Sequence, residues 1–338
     1  RLLVFLPLLL LPPLVRPLVA QDLPVEFELV GTIGVSQGDP EEEFGQIKAL
    51  TRLDTSDIIL ILDPYRGRLS AFDRDGTFLA STGRLGQGPG EFRVPRALSS
   101  MRERIFVYDP ANIRISEYAW NAEGAELALQ RESRAPFEAK GMCAAEDRLY
   151  FLAYHEGRIV HQLDPDTGEL VSFGSPFRSG HPNVEWSSTN GLIGCNEETR
   201  SVYVGGFVTP IVRRYDLNGE LIWEAEIPDF PAARITPNEY GGVRMRMAEG
   251  EDRSLTLVSL AMVPTVGLVV QYADAAAVRI RAMEDLIDVR TSIFSLDDGS
   301  LLASGITSLP RIDLVDGEFA YSRGNDPFPR VKIYRWSR

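Results

Sequence analysis

The sequence predicts an all-β protein, a β-propeller of four-stranded antiparallel blades closed by its own two ends. Three observations lead there. First, the pattern of residues 79–95 (LASTGRLGQGPGEFRVP) recurs at 29–47 (LVGTIGVSQGDPEEEFGQI). Each copy runs from a short apolar strand through a Gly-rich polar loop to an acidic-Phe pair, Glu91-Phe92 and Glu43-Phe44. Self-similarity of this kind marks a repeat architecture. Second, Asp-Gly and Asn-Gly turns stand between alternating runs, a strong hairpin signal because such turns need positive φ. The last Gly of the hairpin turn falls at 76, 124, 168, 219 and 299, in steps of 48, 44, 51 and 80. Units of 40–50 residues or so are the spacing of propeller blades. Third, the alternating run 25–34 (VEFELVGTIG) reads as the last strand of a unit that has no earlier strands, while 319–321 and 331–336 (VKIYRW) have no strand after them. Pairing the two ends removes an exposed sheet edge.

The elements follow in order. After 25–34, the first unit takes Ile58–Asp63, 67–73 (GRLSAFD), the turn Arg74-Asp75-Gly76 and 77–82. The second takes Arg104–Asp109, 112–118 (NIRISEY), a turn ending at Gly124, and 125–130. The third runs through 148–153 (RLYFLA), 157–164 (GRIVHQLD) and 169–173, with its turn at Gly168. The fourth has 201–205, Ile211–Asp216, the turn Leu217-Asn218-Gly219 and 220–225. The fifth pairs 267–271, 291–296 and 300–304 around Asp297-Asp298-Gly299. The strands at 58, 104, 148 and 201 are read as innermost. The long last step places an insertion at 228–252, between the fourth and fifth units, and a further polar helical stretch at 273–286. Thr236-Pro237-Asn238-Glu239 has the form of an N-cap, a first-position Pro and a capping-box Glu, which predicts a short helix over 237–249. Insertions of this kind gather on one face and often carry function.

Length and composition bound the answer. A chain of 338 residues, 44% hydrophobic, suffices for one large all-β domain over 25–338. Its formal charge is −13. Without Arg1 and Arg16 it holds 33 basic against 48 acidic side chains, a balance of −15. That argues against a general nucleic-acid or anionic-membrane binder, leaving room for a local basic patch near Arg244 and Arg246. Residues 2–15 are wholly Leu, Val, Phe and Pro, and Leu18-Val19-Ala20 follows. Residues 1–20 therefore read as a secretory signal peptide cleaved near Ala20, too short and Pro-rich for a confident span. An uncleaved anchor is the alternative. The expected location is periplasmic or secreted, in a bacterium. Cys143 and Cys195 precede the presumed innermost strands of successive units. The plainer reading is two small buried residues at equivalent positions, and export leaves a disulfide open.

The motif Tyr108-Asp109-Pro110-Ala111-Asn112-Ile113-Arg114-Ile115, with Phe72-Asp73-Arg74-Asp75-Gly76 and residues 83–95, resembles NHL-type repeats. The likeness is good over the first two units, fair over the next two and weak beyond. It is similar to exported six-bladed NHL-like propellers of bacteria. The resemblance implies six blades, with the terminal strands sharing the last. It says little of function, since propellers host unrelated activities.

The loop-rich face at one mouth of the channel is the default binding surface. The candidate ligand contacts on it are Tyr65, Arg66, Asn112, Tyr154, His155, Trp186, Tyr240 and Arg244, groups that suit a peptide, a glycan or a protein partner. Locally, Asp63, Asp109 and Asn112 can equally hold turns, and Arg68 and Arg114 can pair with acids. The loop 83–90 lacks a phosphate-loop signature and leads into no helix, so its glycines are read as turn-formers. His155, His161 and His181 are too scattered for a zinc constellation by spacing, and His181-Pro182 reads as loop. A Ca²⁺ or Zn²⁺ ion is left open through Asp63 and Asp109. No catalytic residue is assigned and no cofactor is expected. The leading expectation is a monomeric, non-catalytic binding propeller. The alternative, prompted by metal-using lyases of the same repeat type, is a metal-dependent lyase or hydrolase at the channel mouth using Asp109 and His155.

Overall fold

The computed structural model describes residues 25–337, except 54–56, 179, 232, 241, 247–254, 275–288 and 326. The signal-peptide reading of 1–20 and most of the helical reading of 273–286 fall outside the described residues. The first strand, β1 (Glu26–Ile33), precedes five complete antiparallel blades. Blade 1 is β2 (Ala49–Arg52), β3 (Ile58–Asp63), β4 (Arg68–Asp73) and β5 (Phe78–Thr82). Blade 2 is β6 (Ala97–Met101), β7 (Arg104–Asp109), β8 (Arg114–Asn121) and β9 (Glu126–Arg134). Blade 3 is β10 (Gly141–Ala145), β11 (Arg148–His155), β12 (Arg158–Leu163) and β13 (Leu170–Phe173). A short helix, α1 (Pro182–Ser188), precedes blade 4: β14 (Gly191–Asn196), β15 (Ser201–Gly206), β16 (Ile211–Asp216) and β17 (Leu221–Glu226). A hairpin, β18 (Arg234–Pro237) and β19 (Val243–Arg246), stands before blade 5: β20 (Leu255–Val263), β21 (Gly267–Asp274), β22 (Arg290–Phe294) and β23 (Leu301–Ile306). Blade 6 is β24 (Leu314–Asp316), β25 (Phe319–Gly324) and β26 (Arg330–Ser337), and β1 completes it.

The expected closure is present. β1 runs antiparallel to β26 from Glu26↔Ser337 to Ile33↔Val331, with one irregularity between Leu29 and Gly31. The first strands of the blades touch their neighbours all the way round, from β2 through β6, β10, β14, β20 and β24 back to β2. These six line the channel, and they were not legible in the sequence. They read ALTR, ALSSM, GMCAA, GLIGCN, LTLVSLAMV and LVD. Most are short and built of small or polar residues, without apolar alternation. The strands taken as innermost are second in each blade. Those are sandwiched between neighbouring blades on both faces, and β3 and β15 are buried throughout.

Two further expectations change. Residues 237–249 were expected as a helix, but the described part turns back as the β18–β19 hairpin. Asn238 Oδ1 accepts the N–H groups of Tyr240 (3.0 Å) and Gly242 (2.9 Å), an Asx-type turn that competes with helix formation. His181 and Pro182, read as loop, are the N-cap and first residue of α1. The His181 ring accepts the Asn183 N–H at 3.2 Å.

The Phe of the repeated loop is its anchor. Phe92 is wholly buried against Tyr118, and Phe44 is buried against Phe72, with ring centroids 6.2 and 5.8 Å apart. Phe137 meets Phe151 at 5.8 Å, Phe230 meets Tyr272 at 5.5 Å, and the Arg213 guanidinium lies 4.9 Å from the Phe177 ring. One aromatic side chain from each of these five inter-blade segments therefore plugs the seam between blades, where such rings contribute most to burial.

Candidate functional site

Asp63 ends β3 fully buried. Its carboxylate accepts the N–H groups of Gly45 (2.7 Å) and Gln46 (3.1 Å) in the inter-blade loop, and of Tyr65 (2.9 Å) and Arg66 (3.2 Å) in its own turn. Asp109 at the end of β7 repeats the arrangement with Arg93 (2.6 Å), Val94 (3.2 Å), Ala111 (3.0 Å) and Asn112 (3.2 Å). Four backbone N–H groups occupy the acceptor capacity of each carboxylate. Asp63 and Asp109, the weak metal candidates of the sequence, tie the inter-blade loop to the turn. Asn112 also turns inward. Its amide donates to Gly86 O at 3.1 Å, Glu91 O at 3.3 Å and Asp109 at 3.2 Å, bonds that hold the Gly-rich loop to the turn. Arg114 donates to Gly88 O at 2.8 Å and Arg68 to Glu43 O at 2.7 Å, so both arginines cap loop carbonyls. Glu91 folds the Gly-rich loop around itself, accepting from Gly88 N at 2.8 Å and Arg84 Nε at 2.6 Å. A Cβ on Gly86 would lie 2.0 Å from Glu91 Oε2, so a larger residue there would push the Glu91 carboxylate off the loop that it holds.

His155 and His161 meet around Phe137. The His161 ring is 4.4 Å from Phe137 and 6.0 Å from His155. His161 is wholly buried, with Nδ1 2.8 Å from Ser172 Oγ and Nε2 3.0 Å from Ala153 O. Among the described residues no group of three or more His, Cys, Asp or Glu side chains is placed to hold a metal ion. Burial, the largest cause, pushes the His161 pKa below its ordinary 6.5. The unfolded imidazole takes a proton near 6.5 and the folded one only at lower pH, so in between the unfolded state binds more protons. Stability should therefore fall as pH drops from 7.5 through 6.5 towards 5. Urea midpoints in that window should converge with a His161→Gln reference measured alongside; a parallel pH course in both proteins would refute the assignment.

The inner strands enclose a channel cavity of about 430 Å³, a size that suits a small ligand group. Cys143 on β10 and Cys195 on β14 lie in its wall and are joined as a disulfide across blades 3 and 4, with Cα atoms 5.6 Å apart. Both therefore sit on innermost strands rather than before them. Where the inter-blade loops enter the inner strands, basic residues recur: Lys48, Arg96 and Lys140 each stand one residue before an inner strand. They continue around the mouth from Arg311 and Arg323. Arg323 donates to Lys48 O. Arg96 reaches Ala139 O at 3.2 Å, and Lys140 Nζ stands 4.9 Å from the centre of the Trp186 ring. Two carboxylates interrupt the arc. Asp313 is clasped by Arg311 at 2.9 Å and Arg323 at 2.6 Å, and these outweigh its burial to hold it below the ordinary carboxylate range. Glu138 lies 3.4 Å from both Arg96 and Lys140. Lys48 is exposed, yet protein crowded around its amine, then the charges of Arg323, Arg96 and Arg311, push its pKa down. Short-range sequence reading passed over this arc because its members are single cations scattered over most of the chain.

The remaining predicted residues divide. Tyr154 donates to Glu185 of α1 at 2.6 Å, and Trp186 beside it is 49% exposed. The β18–β19 hairpin packs on α1, which brings Tyr240 and Arg244 to the same sector, both exposed. His155 is 3.8 Å from Glu156 on its turn. Tyr65 is exposed on blade 1, and Arg66 pairs with Glu43 at 3.0 Å.

A family model described as a 6-bladed beta-propeller matches residues 39–167. The chain is a six-bladed β-propeller. A Bacteroides fragilis protein described as a candidate exported protein matches this propeller with TM-score 0.61 at 12% identity, over 95% of this chain and 97% of its own. A member of the duf4221 family from Bacteroides vulgatus gives 0.60 at 10%, over 93% and 99%. A catalytically inactive virginiamycin B lyase of Staphylococcus aureus, with quinupristin, gives 0.51 at 10%, over 92% and 99%. At these identities the propeller's likeness is one of fold. Among curated proteins, none matches the sequence. No helix among the described residues is long and apolar enough to cross a membrane.

Proposed function

We propose that this propeller is an exported, NHL-like binding protein that seats its ligand on the loop-rich face, over the channel mouth between α1, the β18–β19 hairpin and the basic arc. The observation that carries this reading is the division of labour among polar groups. Asp63, Asp109 and Asn112 are tied into loop hydrogen bonds, whereas Trp186, Tyr240 and Arg244 face solvent in one sector. Rigid aromatics beside cations are the composition of recognition surfaces. The apolar residues 2–15 and the disulfide support export. Peptide and glycan panels probed with residues 21–338 should return a ligand whose Kd rises at least about tenfold in Trp186→Ala, the range of a binding hot spot. A ligand indifferent to Trp186→Ala and Tyr240→Ala would place the site elsewhere.

A further inference from the structure

The hairpin carries a feature that its fold does not require. Arg234 stands directly opposite Arg246, and Arg244 opposite Thr236. Side chains two apart in a strand share a face, so Arg234, Arg244 and Arg246 all project from one side of the ribbon. All three are exposed, and no described residue gives any of them a hydrogen bond or ion pair. Like charges directly opposite destabilise a strand pair. The other side of the ribbon carries buried Ile235, the residue that ties it to the body of the protein. Thus a chain of formal charge −13 gathers on one ribbon face, next to α1, three arginines without a partner among the described residues. Lys140, at the end of the basic arc, meets Trp186 on that same helix.

Resting on the binding reading above, we propose that the ligand is an acidic polysaccharide, a chain of uronate-bearing sugars, laid from the hairpin arginines across Trp186 to the basic arc at the channel mouth. The cations supply carboxylate recognition, for which Arg is suited by its paired donors. Trp186 and Tyr240 offer flat faces for sugar rings. The spread of charge over the hairpin and the loops of blades 6, 1, 2 and 3 matches an extended polyanion rather than a single anionic group. A uronate chain presents one planar carboxylate per sugar, a group that the Arg fork can bind through two parallel hydrogen bonds.

The test uses residues 21–338, with polygalacturonate, neutral dextran and polyglutamate of matched length as probes, in calorimetric titrations. The expected result is binding to polygalacturonate, at least about tenfold weaker binding to dextran and polyglutamate, and a loss of at least about tenfold between 50 and 300 mM NaCl. Arg234→Ser/Arg244→Ser/Arg246→Ser and Lys48→Gln should each weaken polygalacturonate binding by at least about fivefold with an unchanged melting temperature; the exposure of the hairpin arginines makes the triple variant safe for folding. Equal affinity for polyglutamate overturns the proposal, because charge alone then suffices. So does polygalacturonate binding untouched by the hairpin variant, or no polygalacturonate binding at all. A neutral glycan or peptide bound in a Trp186-dependent way overturns this proposal and leaves the binding reading standing; no Trp186-dependent ligand of any kind removes both.

Discussion

Asp109→Ala should lower the free energy of unfolding by about 4 kcal/mol, the scale for breaking a buried hydrogen-bond network around a charge. Four backbone N–H groups end on this one carboxylate. Removing it leaves donors from two separate loops without a partner in a fully buried site. Alanine offers no acceptor, and a single water in the space left by the carboxylate can accept from only two of the four donors. Asp109→Asn should recover only part of the loss, since the amide oxygen can accept while its NH₂ group faces donors. Urea denaturation followed by circular dichroism would show the effect as a shifted midpoint at constant slope. A fully stable Asp109→Ala protein would mean that the loop and turn hold together without the carboxylate, and would reopen the residue to a role in ligand or metal chemistry.

The second large effect is expected at the channel wall. Cys143 and Cys195 are 52 residues apart, and they link the inner strands of two neighbouring blades. Constraining a loop of that length in the unfolded chain corresponds to about 4 kcal/mol on the chain-entropy scale. Cys143→Ala/Cys195→Ala should therefore lower the unfolding free energy by up to about 4 kcal/mol, with the same destabilisation on reduction of the parent protein by dithiothreitol. The double variant should be insensitive to the reductant. Because a domain's net stability is about 5–15 kcal/mol, this bond or Asp109 alone accounts for a large share of it. Equal melting curves for oxidised and reduced parent protein would show that the bond contributes nothing beyond the contacts of the two blades.

The sequence exposed the parts of the fold whose chemistry is periodic. The Asp-Gly and Asn-Gly turns at Gly76, Gly219 and Gly299 do adopt positive φ, as does Gly168 after Thr167, whereas in the second unit Ala125 takes it in place of Gly124. Ile58–Asp63 is visible as six consecutive core residues. The inner strands were hidden because a channel wall such as GMCAA, flanked closely by neighbouring strands, has no need of large apolar side chains. The hairpin at 234–246 was mistaken for a helix because a capping-box pattern and an Asx turn use the same residue types, and Gly242 decides for the turn. At the site, the exposed aromatics Trp186 and Tyr240 could be picked out by type. Asp63, Asp109 and Asn112 looked functional because buried loop anchors and ligand contacts draw on the same polar side chains. The basic arc could be assembled only in space: Lys48 and Arg323 lie at opposite ends of the chain, and the ring brings them together.

The pairing of Glu26 with Ser337 also imposes an order of events on the making of this protein. β1 is synthesised before every other strand of the ring, and its partner β26 after all of them. Until then, five blades can form but not close, and both β1 and the free flank of blade 6 remain open edges. The entropy of bringing such distant segments together grows only slowly with their separation, so the finished ring is not much penalised. The rate is, because non-local pairing is slow. During that interval the first strand of one copy matches the gap in any other copy equally well, so closure within one chain competes with exchange between chains. Dilution favours the ring, and crowding of incomplete chains favours strand-swapped assemblies.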